Sequence, residues 1–178
     1  MIDITSLLNG RVSRLEIGYG FDPEENADCN PMIPDDMKLI PPVKVTGFAE
    51  DKNGCLFLTA EIEARYETLC DRCLRDIGGI ITVPFERMVS LDVPPEEDDE
   101  SLDNVVFANG SNLDIDRQVT EEIALELPPY HLCKEDCKGL CPKCGKDLNE
   151  GPCDCKEEKE IDPRLKILQK LLENSDEL

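Results

Sequence analysis

Hydrophobic and polar residues alternate along much of the first ninety residues, which is the pattern of half-buried β-strands. The alternation is weak over residues 12–21 and clear over residues 43–49. Residues 55–66 alternate again, and one face of this segment carries Leu56, Leu58, Ala60, Ile62 and Ala64. Residues 51–54 end in Asn-Gly, a strong hairpin turn signal. We therefore expect residues 43–49 and 55–66 to pair as an antiparallel hairpin.

Further strands are predicted on both sides of this hairpin. Residues 77–91 form the next strand-like run, in which Gly78-Gly79 and Pro84 indicate a bulge or a sheet edge. Residues 29–42 are rich in proline and polar side chains and are predicted to be a loop. A short strand is expected at residues 105–107. The prediction is four antiparallel strands with a short fifth.

Helical periodicity begins only after residue 113. Apolar residues recur every four positions at Ile115, Val119, Ile123 and Leu127. Asp114 or Asp116 is the expected cap, and Pro128-Pro129 ends the run. A second helix is predicted from Asp162-Pro163, since proline is favoured at the first helical position. Its apolar face would carry Leu165, Leu168 and Leu172.

These elements define the expected fold class and three segments. The class is α+β, with a predominantly antiparallel β core, a C-terminal zinc-knuckle segment and one or two short helices. Residues 1–128 would form the β-rich core with its following helix. Residues 129–156 would form a cysteine-rich segment, and residues 157–178 a C-terminal amphipathic helix.

Cysteine spacing is the strongest chemical signal in the chain. Ten cysteines are present, and eight of them form close pairs. The pairs are Cys70/Cys73, Cys133/Cys137, Cys141/Cys144 and Cys153/Cys155. A short spacing lets two thiolates converge on one point, and a structural zinc ion needs four ligands in a tetrahedron. The sequence therefore predicts one or two structural zinc ions.

Four pairs provide two sets of four ligands, and their distances along the chain suggest which pairs combine. Cys141/Cys144 and Cys153/Cys155 are close enough along the chain to form one site locally. Cys70/Cys73 and Cys133/Cys137 would then share a second site, which requires the fold to bring distant segments together. If they do not converge, Cys133/Cys137 would instead group with one of the C-terminal pairs. Cys29 and Cys55 stand alone and are expected to be bystanders.

Two other uses of the cysteines stay open at this stage. Disulfides would require an oxidising compartment, but the first residues have no secretory signal pattern. No apolar run is long enough for a transmembrane helix, so we expect a cytoplasmic protein without membrane contact. A redox Cys-x-x-Cys is the second alternative, and it would make the chain a thiol redox protein.

The formal net charge of −21 restricts the choice of partners. Such a charge repels a phosphate backbone over long range and attracts basic proteins. Residues 92–103 contain a concentrated acidic block and are predicted to be a solvated loop. The cysteine-bearing segments are nearer to neutral, so candidate contacts with RNA or a protein partner lie there. They are Arg65, Arg72, Arg75, Lys134, Lys138, Lys143 and Lys146.

The residues argue against an enzyme. The single histidine, His131, is interpreted as a surface loop residue, with an alternative role as a metal ligand. No catalytic set can be built around it, and no phosphate-binding or dinucleotide-binding motif is present. Sites with four cysteine ligands are closed, whereas a catalytic zinc keeps an open position.

The chain resembles the YceD-type family of bacterial and plastid proteins, which are described as large ribosomal RNA subunit accumulation proteins. The resemblance rests on LCDRC at 69–73, the cluster LPPYHLCKEDCKGLCPKCGKDLNEGPCDC at 127–155, and the tail IDPRLKIL. It implies a non-enzymatic factor that supports large-subunit rRNA processing or stability. The expected partner is a large-subunit rRNA precursor or a basic ribosomal protein. An acidic chaperone for a ribosomal protein, without RNA contact, is the alternative, and the oligomeric state stays open.

Overall fold

A computed structural model of the chain describes residues 1–25, 33, 34, 36–92, 102 and 104–155. Contacts divide the chain into two compact units, Met1–Cys137 and Lys138–Leu178. Sequence reasoning placed residues 129–156 in one segment. The division falls inside that segment, because Cys133 and Cys137 contact the cysteines that follow the central strands.

The first unit is built on a five-stranded sheet with the order β2-β3-β4-β5-β6. A second, two-stranded sheet pairs β1 with β7. The strands are β1 (Ile2–Asp3), β2 (Arg14–Phe21), β3 (Met37–Lys52), β4 (Cys55–Leu69), β5 (Asp76–Ser90), β6 (Val105–Phe107) and β7 (Asn112–Leu113). The helices are α1 (Thr5–Leu8) and α2 (Asp116–Glu126). The fold is thus mostly β-sheet with two short helices.

The predicted hairpin is present, and its alternation has the predicted meaning. β3 pairs with β4 antiparallel, and Lys52 lies opposite Cys55 across the turn. Leu58, Ile62 and Ala64 of β4 are fully buried, and Ala60 nearly so. These side chains share one face because successive residues of a strand point to opposite faces. That face of the sheet packs into the main hydrophobic core.

One part of the strand prediction was wrong: residues 37–42, predicted as part of a loop, belong to β3. A register shift between Ile40 and Lys44 lies at the cis Pro41–Pro42 peptide. The predicted short fifth strand is β6, and it pairs with β5 in parallel. The register of β4 and β5 is continuous, so Gly78, Gly79 and Pro84 mark no bulge. They lie in the part of β5 that has no described strand on its other side, since β6 pairs only with residues 88–90.

Helix α2 covers the expected residues, and Asp114 contributes at its start. The N-cap residue is Ile115, which makes no side-chain cap bond, but the Asp114 carboxylate accepts a hydrogen bond of 3.3 Å from the N–H of Asp116, the first helical residue. The carboxylate of Asp116 accepts a hydrogen bond of 2.8 Å from the Tyr19 hydroxyl. Val119 and Ile123 are buried in the core, and an Arg87–Glu122 ion pair joins α2 to β5. The helix therefore covers the inner face of the sheet.

The N-terminal segment was not predicted as structured. Ile2, Ile4 and Leu7 nevertheless belong to the core. β1 pairs with β7, the strand that precedes α2 along the chain. These elements are too short to show a hydrophobic period, so only tertiary packing identifies them. Among the described residues, no helix has the length and apolar character needed to cross a membrane. The predicted helix in residues 157–178 and the acidic residues 93–101 lie outside the described residues.

Candidate metal centres

The first cluster joins two segments that are sixty residues apart. Cys70 and Cys73 lie in the turn between β4 and β5, and Cys133 and Cys137 follow α2. Sγ of Cys70 lies 3.8 Å from Sγ of Cys137, and Sγ of Cys73 lies 3.6 Å from Sγ of Cys133. All four sulfurs lie within 4.8 Å of one another. The structure thus brings together the two pairs that the sequence analysis predicted to share a site.

These distances fit a tetrahedral zinc ion. Zinc–sulfur bonds of about 2.3 Å give sulfur–sulfur edges of about 3.8 Å in a regular tetrahedron. Cys70, Cys73 and Cys137 are buried, and Cys133 is half-buried. Four thiolates in this arrangement leave no position for a water ligand. The donor set suits a closed structural site, with all four cysteines as ligands.

The two Cys-x2-Cys turns share one backbone structure, which the sequence predicted as a zinc-knuckle turn for Cys141–Gly145 but not for the turn at Cys70. The Leu74 N–H donates to the Cys70 carbonyl at 2.8 Å, and the Gly145 N–H donates to the Cys141 carbonyl at 2.9 Å. The Cys70 and Cys141 N–H groups in turn donate to the carbonyls five residues ahead. Leu74 and Gly145 both have positive φ, at 54° and 71°. Both turns are therefore zinc-knuckle turns, although only the second has the glycine that such a turn favours.

Electrostatics in the first cluster favour one thiolate. Burial acts to raise the pKa of Cys70, but backbone N–H groups, first that of Cys133, lower this pKa to about 6. The Cys133 N–H lies 3.4 Å from the Cys70 sulfur. Burial and then the Cys137 thiol raise the pKa of Cys133 to about 12. A metal cation would stabilise all four thiolates and so lower the raised pKa of Cys133. Metal binding would therefore release protons.

Polar contacts hold the two segments of the first cluster together. The Arg72 guanidinium donates to the carbonyl of Cys137 at 2.8 Å. The Asp71 N–H donates to the His131 carbonyl at 2.9 Å, and the His131 N–H donates to the Asp71 carboxylate at 2.7 Å. The His131 ring packs against Tyr66, with the ring centroids 5.9 Å apart. Neither cysteine group includes His131, which supports the cluster through its backbone.

The second cluster lies wholly in the second unit. Its four sulfurs, from Cys141, Cys144, Cys153 and Cys155, also lie within 4.8 Å of one another. A short bridge between Leu140 and Asp147 and a hydrogen bond of 2.9 Å from Leu148 to Gly139 close the loop that carries the first pair. Residues 138–155, the described part of this unit, contribute no residue to the hydrophobic core cluster, so four ligands to one ion would supply much of their stability.

The second cluster has the same electrostatic asymmetry. The N–H groups of Cys144 and Lys143 lower the pKa of Cys141 to about 6. Contact with the Cys144 thiol, and then burial, raise the pKa of Cys155 to about 12. One thiolate is again favoured in the metal-free cluster, and a cation is needed for the rest to ionise together.

Cys55, the remaining cysteine among the described residues, takes no part in these clusters. Cys55 is exposed at the β3–β4 turn. Cys29 lies outside the described residues. Spacing alone separated both from the eight candidate ligands, because neither has a second cysteine nearby in sequence.

Several of the seven basic candidates have structural partners. Arg72 donates to Cys137 as described, and the Lys146 ammonium donates to the Pro152 carbonyl at 2.8 Å. Lys134 lies 3.8 Å from an Asp136 carboxylate oxygen. Arg65 is exposed on β4, away from the cysteines. Arg75, Lys138 and Lys143 are exposed and lie close in sequence to the clustered cysteines.

Comparison with known proteins gives a family match over most of the chain. A family described as "Large ribosomal RNA subunit accumulation protein YceD" matches residues 58–172. The uncharacterized protein YlbN of Bacillus subtilis is 32% identical over 161 residues, which are 88% of this chain and 91% of that protein. No solved structure matches the chain.

Other relatives match over less of their length. An uncharacterized protein of Mycobacterium tuberculosis is 29% identical over 124 residues, so the match spans 69% of this chain but 59% of that protein. The chloroplast YCED homolog 1 of Arabidopsis thaliana, named a large ribosomal RNA subunit accumulation protein, is 41% identical over 49 residues. That match covers 27% of this chain and 15% of the plant protein. The family match includes most of β4, all of β5 and all eight clustered cysteines, and the chain belongs to the YceD family.

Proposed function

We propose that this chain is a non-enzymatic cytoplasmic factor that supports the accumulation, processing or assembly of large-subunit rRNA. Two structural zinc ions would stabilise it. The family match over residues 58–172 supports the ribosomal role. The sulfur–sulfur distances in the first cluster support zinc rather than a redox role. A redox dithiol needs two reactive sulfurs, whereas here four sulfurs converge at the spacing of a metal tetrahedron.

The contribution of zinc is architectural. In the first cluster it would tie residues 133–137 to the turn between β4 and β5. In the second it would hold residues 141–155 in one compact segment. No ligand position remains open at a four-cysteine centre, so neither ion would activate water. The protein would act by binding.

A depletion experiment tests the ribosomal role. Cells lacking the chain should accumulate less mature large-subunit rRNA relative to small-subunit rRNA, and wild-type protein should restore the ratio. A Cys73→Ser variant should fail to restore it, whereas a Cys55→Ser variant, altered at an unclustered cysteine, should succeed. Unchanged rRNA ratios after depletion would refute the ribosomal role.

The acidic charge supports a second candidate. A net charge of −21 favours a basic ribosomal protein as the direct partner over naked RNA. Affinity purification with and without RNase treatment separates the two. Ribosomal proteins that remain bound after RNase support direct protein contact. Loss of all ribosomal components after RNase supports contact through rRNA.

A further inference from the structure

Among the described residues, little of the outer edge of β5 is paired. β6 pairs only with Met88, Val89 and Ser90. Within the part of the chain that the structure describes, no strand pairs with the outer edge of β5 before residue 88. Open strand edges present backbone donors and acceptors to any chain that can adopt an extended conformation.

The hydrogen bonds to β6 show which residues face this edge. The Met88 N–H donates to Asn104, and the Ser90 carbonyl accepts from Ala108. The register between β4 and β5 has no shift, so even-numbered residues of β5 direct their backbone groups outward. Gly78, Ile80 and Thr82 each therefore offer one N–H and one C=O. Pro84 has no N–H and limits the edge at one end.

Side chains on this edge do not protect it from pairing. Edge strands usually carry charged residues, but residues 77–83 contain none. Ile80 is 63% exposed. A groove of about 340 Å³ lies beside Ile77 and Gly78, and its walls include Tyr66, Tyr130 and His131. The groove offers space for an apolar side chain of an added strand.

Two kinds of extended chain could pair with this edge: a second copy of this protein or a basic segment of a partner protein. The charges around the edge favour the second. Glu67 lies opposite Gly78, Glu61 lies opposite Pro84, and Asp76 and Glu86 flank the open stretch. Arg65, opposite Ile80, is basic, and Glu63, opposite Thr82, is paired with Lys44. A second copy of a chain with charge −21 would be repelled, whereas a basic segment would be attracted. Because Gly78 has no side chain, a lysine or arginine placed over it has access to Glu67.

We infer that residues 78–82 of β5 bind an extended, basic segment of a partner protein by strand addition. The partner segment alternates basic and apolar residues, so that one face meets the carboxylates of β4 and the other meets the groove. Backbone hydrogen bonds supply affinity, and the flanking charges supply selectivity. This inference concerns the mode of binding and stands apart from the ribosomal role.

A peptide of about nine residues that alternates lysine and valine is the probe, since that length covers the open edge. Its binding to the zinc-loaded full chain is followed by NMR shifts of the β5 amides. Ile80→Pro removes an outward N–H, while Ile80→Val keeps it. We expect Ile80→Pro to weaken binding by about tenfold or more and Ile80→Val to leave it within about threefold. Glu61→Gln with Glu67→Gln should weaken binding and reduce its salt dependence.

Two controls keep the test independent of folding defects. Thr82→Pro repeats the proline test at a second outward position, next to the natural Pro84. A peptide with methyl groups on alternate backbone nitrogens keeps its charge but loses donors, and it should bind the wild-type chain weakly. Equal binding of the methylated peptide, or shifts confined to other strands, would overturn the inference. Self-association of the chain through this edge would also overturn the inference. The same holds if RNA binds at β5 and displaces the peptide.

Discussion

Leu74 occupies a backbone conformation that is unfavourable for a leucine. Its φ is 54°, and the side chain is 61% exposed, so little burial offsets the strain. Leu74→Gly should therefore leave stability unchanged or raise it by up to about 1 kcal/mol. Leu74→Val should lower it by about 1–2 kcal/mol, because β-branched residues tolerate positive φ poorly. Denaturant unfolding of the zinc-loaded protein measures both; a large loss with glycine would show that the leucine side chain itself stabilises the fold.

Arg72 illustrates how one residue can connect the two halves of a candidate metal site. Arg72→Met keeps the stem but removes the donor to the Cys137 carbonyl. We expect a loss of about 1 kcal/mol and faster removal of zinc by a chelator, since the 133–137 segment is then held less firmly. Arg65→Met, at an exposed position of β4 outside the cysteine cluster, is the matched control for the loss of one positive charge. Equal chelator rates for the two variants would contradict this role for Arg72.

At the scale of elements, each cysteine cluster should act on its own segment. Cys144→Ser should remove one zinc ion and unfold the second unit's described part, residues 138–155, while the sheet of the first unit keeps its circular dichroism. Cys73→Ser should remove the other ion and release residues 133–137. Native mass spectrometry counts the ions. Cys55→Ser should retain both ions, and loss of both ions in Cys144→Ser would contradict independent sites.

Zinc affinity of both clusters should also fall with acidity. In the metal-free state, burial and neighbouring thiols raise the pKa of Cys133 to about 12, and contact with Cys144 raises that of Cys155 to about 12. Both groups therefore carry protons at neutral pH, and zinc must displace them. Lower pH increases proton competition, so affinity must decrease from pH 8 towards pH 5. Titration against a competing chelator at several pH values measures this; a flat profile would contradict thiolate ligation.

At the scale of the whole molecule, charge should govern association. With a net charge of −21, we expect weak binding to naked rRNA and faster, salt-sensitive binding to basic ribosomal proteins. Replacing Glu96, Glu97, Asp98, Asp99 and Glu100 by neutral amides should slow that association without changing the melting temperature. Stopped-flow rates at two salt concentrations test this. Tight binding to rRNA that ignores the replacement would show that RNA is contacted directly.

The sequence by itself determined the local features of this protein. Alternation located much of β3 to β5, the four-residue period located α2, and cysteine spacing selected eight candidate ligands out of ten cysteines, because each signal depends on residues close along the chain. The number and spacing of the pairs predicted that Cys70 and Cys73 meet Cys133 and Cys137, and the tertiary structure decided for this pairing over the alternative. Only the tertiary structure decided that β6 joins in parallel, that the N-terminal residues enter the core and that, among the described residues, the outer edge of β5 before residue 88 is open. These features depend on contacts between distant segments, whose partners are selected by packing and backbone hydrogen bonding rather than by local pattern.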